Sequence, residues 1–198
     1  KIDWKDEPFP HAIVDNFLPP DVFAKITDGL NNLKNPEDIK KKFSTYIESN
    51  KEVYGDKDLN EILKLPINIL GGIEIKKKFE NFFNIDQITS LTDEPNYDGY
   101  YPFHIMKNGG VLGSHVDHSH SSQEKLHVAN SIYYVSPKWE DSWGGETLLL
   151  NSSGTKILKK ILSKPNRMIL FVHSAKSFHA VNKLSCPDTV RRSTYYMD

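Results

Sequence analysis

Two hydrophobic patterns divide the chain. In its N-terminal half apolar residues recur at helical spacing. Val22, Phe23, Ile26, Leu30 and Leu33 fall on one face after Pro19-Pro20-Asp21, where proline suits the first turn of a helix. A second helical stretch is predicted over 67–83, with Gly71-Gly72 as a break. Ahead of both, 8–18 carries a β-type run, Ala12-Ile13-Val14. The stretch 36–64 is rich in lysine and acids, with scattered Phe43, Tyr46, Ile47, Leu59, Ile62 and Leu63, and reads as loop with short helices. From Tyr100 the period changes. Short β-type runs at 100–107, 111–117, 128–136, 146–151, 167–173, 179–184 and 191–197 are separated by Gly, Pro, Asn and Ser. Short strands preceded by helices predict a mainly β chain with flanking helices (α+β), built as a sandwich or barrel. A jelly roll fits the order. One domain over 1–198 is expected, with a helical part to about 99 and the barrel core from about 100.

Composition narrows the class. With 38% hydrophobic and 26% charged residues, the 198-residue chain is an ordinary globular sequence. A net charge of −1 gives no global pull toward nucleic acid or anionic membrane. No apolar run reaches the length of a membrane span, and no signal-peptide core opens the chain. Cys186 is the sole cysteine, so no intrachain disulfide forms and the cytoplasm is the expected setting. Lys76-Lys77-Lys78, offset by Glu74 and Glu80, reads as a solvated helix face.

Candidate chemistry gathers in the second half. Gly113-Ser114-His115-Val116-Asp117 places an imidazole and a carboxylate two apart, on one face of a strand. A distant third ligand, offered by Phe178-His179-Ala180-Val181, would complete a two-histidine, one-carboxylate face, the arrangement of non-haem Fe(II) oxygenases. His118 and His120 lie close enough to suggest a rival histidine-rich site for another metal. Gly144-Gly145 fits a tight turn that a side chain would obstruct, leading into Glu146 and Thr147. Trp139 and Trp143 flank that turn, as packing or as an entrance wall, and Asn130 is a candidate hydrogen-bonding neighbour.

In order, these pieces resemble the 2-oxoglutarate- and Fe(II)-dependent dioxygenases, in particular the prolyl-4-hydroxylase-like branch. They are His115/Asp117, the strand Ser131-Ile132-Tyr133-Tyr134-Val135, Gly144 to Thr147, His179-Ala180-Val181 and Arg191. The resemblance covers roughly 100–198, with a weaker echo at Pro8-Phe9-Pro10-His11 and Asn16-Phe17-Leu18-Pro19. It implies a double-stranded β-helix and an Fe(II) held by His115, Asp117 and His179. It also implies 2-oxoglutarate as cosubstrate, with O2 as oxidant and ascorbate as a candidate reductant. Arg191 would take the distal carboxylate of 2-oxoglutarate through its planar fork, with Ser193 on the same face and Arg192 on the other. Tyr134 would hydrogen-bond that same carboxylate, or serve packing. A further cosubstrate tyrosine of the family has no counterpart at Ile105 or Met106, and Tyr100, Tyr101 and His104 are the substitutes available.

The implied reaction is hydroxylation of an unactivated C–H bond. Peptidyl proline leads as substrate, and a free amino acid or sugar follows. A cupin-type metal enzyme that uses no 2-oxoglutarate, a non-catalytic binding module and a nucleic-acid dealkylase are the rivals. Charge balance argues against the last. The polar stretch from His118 to Leu126 is expected to be a lid.

Overall fold

The computed structural model describes residues 3–31, 33, 41–45, 47–93, 101–117 and 126–198. The expected lid lies outside these residues apart from Leu126, as do His118, His120 and Tyr100.

The chain runs β1 (Trp4–Lys5), β2 (His11–Val14), α1 (Pro20–Asn31), β3 (Lys41–Thr45), β4 (Glu48–Tyr54), α2 (Glu61–Leu70) and α3 (Ile73–Phe83). Then follow β5 (Phe103–His115), β6 (Ala129–Tyr134), β7 (Thr147–Leu150), β8 (Ile157–Ile161), β9 (Arg167–Val172), β10 (His179–Val181) and β11 (Arg192–Met197). Antiparallel pairing orders the strands β1-β2-β9-β6-β11-β5-β10-β7-β8, with β4 also on β5 and β3 on β4. The sheet curls into the half-barrel of a double-stranded β-helix, as the strand pattern predicts.

The long strand β5 turns the corner. Its first half pairs with β11, Met106 opposite Arg192, and its last residues pair with β10, His115 opposite His179. Gly109 bends it between the two, at a φ of +76° that suits glycine. The expected runs 100–107 and 111–117 are therefore one bent strand.

Two apolar layers follow from alternation. Tyr134, Leu149, Ile161, Ile169 and Phe171 pack between the two halves of the curl. On the outer face Phe103, Ile105, Tyr133, Tyr195 and Met197 meet Ile26, Leu63 and Ile67 from the helices. Each such side chain contributes roughly 1.5–3 kcal/mol on burial. The Tyr195 hydroxyl donates to the Leu63 carbonyl at 2.7 Å, pinning α2 to the sheet.

The expectation for 36–64 is corrected. The chain there contains strands β3 and β4 and the start of α2, whose first turn Asn60 caps through its side chain. Strand β4, Glu-Ser-Asn-Lys-Glu-Val-Tyr, lacks clean alternation and is held by pairing along β5. The predicted helix over 67–83 is two helices parted at Gly71-Gly72. Strand β8 escaped prediction because Lys159 and Lys160 interrupt its apolar run, as suits an exposed edge.

Candidate active site

The three expected metal-binding side chains converge. His115 ends β5, Asp117 follows it, and His179 begins β10. One donor atom from each lies within 4.8 Å of the others. His179 Nε2 stands 3.2 Å from Asp117 Oδ2, and His115 Nε2 stands 3.4 Å from Asp117 Oδ1. Both rings are oriented from behind. His115 Nδ1 bonds the Gly113 carbonyl at 2.8 Å, and His179 Nδ1 bonds the Ser177 carbonyl at 3.1 Å. A carbonyl only accepts, so each Nδ1 carries a proton, while each Nε2 donates to Asp117 when its ring is charged and offers a lone pair inward when its ring is neutral. Two imidazole nitrogens and a carboxylate on one side of a point suit a ferrous ion.

Charge reinforces the cluster. Burial alone would raise the Asp117 carboxyl, but the hydrogen bonds and charges of His115 and His179 outweigh it and hold the acid far below its usual range. Burial likewise opposes a charged His115, yet Asp117 wins and raises its basicity. Phe171 packs on His179 with ring centroids 4.9 Å apart, giving the cluster an apolar wall.

Deeper in the curl the expected register is reversed. Arg191 is exposed, while Arg192 is 4% exposed and faces inward. The cause is the outer core. Tyr195 and Met197 must meet the helices, so alternation turns Arg192, Thr194 and Tyr196 to the inner face. Ser193 points the other way from Arg192, and its N–H donates to Ser136 Oγ at 2.9 Å. Arg192 Nε donates to the Gly145 carbonyl at 2.8 Å and to Ser163 Oγ at 3.1 Å. Its guanidinium lies over the Tyr134 ring at 5.1 Å. Each of these hydrogen-bond partners is neutral, and among the described residues no acid stands within ion-pair distance of Arg192, Glu146 acting on it only from farther off. Burial lowers its basicity.

Tyr134 faces inward as expected, its hydroxyl 2.5 Å from Thr147 Oγ1. Gly145 lets the arginine in. A Cβ there would sit 3.1 Å from Arg192 Cδ and 3.0 Å from Trp139, and at Gly144 it would collide with the Lys183 carbonyl. Trp139 donates to the Gly144 carbonyl at 3.0 Å and packs edge-on to Trp143, so the indoles buttress the turn.

Two further residues join the interior. His104 lies on the inner face of β5, opposite Thr194 and stacked on Tyr196. Its Nε2 bonds the Tyr101 carbonyl at 2.8 Å, and burial pushes its basicity well down. Asn130, at the start of β6, reaches Asp117. Asn130 is the expected hydrogen-bonding neighbour and meets Asp117, and His104 is one of the available substitutes, but a lone polar residue on a strand does not say which face turns inward.

Comparison with known proteins agrees with this geometry. Residues 101–196 match the model of the 2OG-Fe(II) oxygenase superfamily. No curated protein matches the sequence. Among solved structures, a Pseudomonas putida prolyl-4-hydroxylase is similar with a TM-score of 0.69 at 11% identity, over 94% of this chain and 90% of that one. A Trichoplax adhaerens prolyl hydroxylase, solved with a hypoxia-inducible-factor peptide, gives 0.59 at 14%, over 94% and 81%. The collagen prolyl hydroxylase of Paramecium bursaria Chlorella virus-1, solved with 2-oxoglutarate, gives 0.53 at 16%, over 94% and 93%. At these identities the structures share a fold, while the sequence match falls on the segment that carries the triad. The matched segment, just under half of the chain and the part that carries the triad, is that of a 2OG-Fe(II) oxygenase, an oxidoreductase superfamily whose Fe(II) and 2-oxoglutarate this interior is chemically suited to hold.

Proposed function

We propose that this enzyme hydroxylates an unactivated C–H bond, with peptidyl proline as substrate. The observation that carries the reading is Arg192, a buried cation among neutral partners, facing the same interior as the His115–Asp117–His179 cluster. Burying an unpaired guanidinium costs several kcal/mol, so the interior is built for an anion. The distal carboxylate of 2-oxoglutarate fits it.

His115, Asp117 and His179 hold the iron, with both Nδ1 protons kept by backbone carbonyls. Arg192 takes the distal carboxylate, its fork positioned by Gly145 and Ser163, and Tyr134 with Thr147 closes one side. Arg192, not Arg191, therefore takes the anchoring role, and Ser193 takes none. Bound together, iron, 2-oxoglutarate and O2 supply an oxidant that hydroxylates the substrate while 2-oxoglutarate leaves as succinate and CO2. Phe171, Leu149 and Ile169 keep water from the interior. A peptide substrate is supported by fold likeness to the Trichoplax enzyme solved with one. Buried Cys186, the sole cysteine, is in keeping with a reducing cytoplasm.

Succinate release is the test. With Fe(II), ascorbate and 2-oxoglutarate alone it should be slow, and proline-containing peptides should raise it. A rise with free amino acids or sugars instead would move the substrate to a small molecule. Iron binding without succinate under any of these conditions would overturn the oxygenase reading in favour of a metal enzyme that uses no 2-oxoglutarate.

A further inference from the structure

Asn130 stands beside the triad and is used by none of the chemistry above. It lies on the inner face of β6 opposite Phe171 and is 0% exposed. Its Nδ2 donates to Asp117 Oδ2 at 2.5 Å and to the Tyr196 hydroxyl oxygen at 3.0 Å. Only the NH2 end of an amide can meet an ionised carboxylate, so the first bond fixes which way the side chain faces. The other end, Oδ1, is buried and has no partner among the described residues. An orphaned buried acceptor destabilises a fold, and a leucine of similar size would not carry that cost. The orphaned end therefore does not account for this asparagine.

Its effect on Asp117 does. The two carboxylate oxygens lean toward different histidines, Oδ1 toward His115 and Oδ2 toward His179. Nothing in that pairing stops both oxygens from binding one metal ion. A donor held on Oδ2 occupies the lone pair that chelation would need. We propose that Asn130, backed by Tyr196, is a positioning residue that holds Asp117 to one-oxygen ligation and so keeps a metal position open for 2-oxoglutarate. The proposal rests on the iron-site reading. It reaches beyond the triad, because three ligands alone do not say how many donor atoms they supply. Tyr196 in turn stacks on His104, which fixes the phenol from behind.

Co(II) is the probe, because its visible absorption reports coordination. Wild-type protein, Asn130→Leu and Tyr196→Phe are each loaded with Co(II) and then titrated with 2-oxoglutarate. In Asn130→Leu the Co(II) spectrum should change, and 2-oxoglutarate affinity of the Co(II) protein should fall on the order of 10-fold. Tm of the metal-free protein should fall, because Asp117 and Tyr196 lose a buried donor. Tyr196→Phe should shift both readouts in the same direction by less. If Asn130→Leu does not fold, Tyr196→Phe decides alone. Wild-type spectra and affinity in folded variants would overturn the proposal. A loss of 2-oxoglutarate affinity with an unchanged Co(II) spectrum would also overturn it, since that marks a role that does not pass through the metal's coordination. Failure of the wild type to bind Co(II) would instead overturn the metal-site reading itself.

Discussion

The two ends of the barrel interior solve opposite electrostatic problems. At the His115–Asp117–His179 end one carboxylate sits between two imidazoles, so the cluster carries its own charge balance before any metal binds. At the Arg192 end a cation is surrounded by the Gly145 carbonyl, Ser163, Thr147 and the face of Tyr134, and among the described residues no acid reaches ion-pair distance, Glu146 acting only from farther off. The first end is preorganised and can wait empty at little cost. The second is held in a less favourable state by the surrounding core, and an anionic ligand relieves it. On the proposed function, binding energy for the cosubstrate is therefore concentrated at the deep end, and selectivity for the metal at the open end.

Breaking the open end should have the largest effect. Asp117→Ala leaves two histidines without their shared acceptor, and tight Fe(II) binding and succinate formation should both be lost in a chain that still folds. Metal analysis beside circular dichroism checks this, and wild-type iron content would contradict it. Breaking the deep end should be next. Arg192→Leu removes charge-assisted hydrogen bonds worth about 1.5–3 kcal/mol, so the KM for 2-oxoglutarate should rise roughly 10- to 150-fold with iron content unchanged. Arg191→Leu, on the exposed side of the same strand, should leave that KM alone, and the reverse result would show the strand register to be shifted by one.

Two smaller effects sharpen the contrast. Tyr134→Phe keeps the ring under Arg192 but removes the hydroxyl bonded to Thr147. A net loss of about 1 kcal/mol predicts a KM for 2-oxoglutarate raised about 5-fold, measured by the same succinate assay. The last is a pH effect confined to the open end. Asp117 raises the basicity of His115 in the metal-free protein. A raised basicity means that protonated His115 stabilises the metal-free fold below its ordinary value of 6.5, and that this is lost as pH climbs through the higher folded value. Metal competes for the same lone pair. Co(II) affinity should therefore climb with pH across that window, while Asp117, held low, stays ionised throughout. Affinity independent of pH between about 6 and 8 would show that His115 binds no proton there.

How much of this was legible in the sequence differs between the ends. Alternation and turn residues marked most strands from Tyr100 onward, because half-buried strands write a period of two into the chain. They did not mark β4 or β8, where neighbouring strands, not their own apolar pattern, supply the stability. The triad was readable because two of its members are joined by local geometry. Residues two apart on a strand share a face whatever the rest of the fold does. Its third member lies on a distant strand and was found through the order of the motifs.

The deep end was different in kind. Arg191 and Arg192 are adjacent, and in sequence either can face inward. The choice was made by Tyr195 and Met197 docking on the helices, a contact between parts of the chain far apart in sequence. Asn130 and His104 are likewise single polar residues whose meaning depends on which face of a strand turns inward and what lies opposite. Local spacing and residue chemistry thus determined most of the strands from Tyr100 onward and the shared face of His115 and Asp117. Register, set by how the apolar faces pack in three dimensions, decided which arginine faces the interior and which amide reaches Asp117.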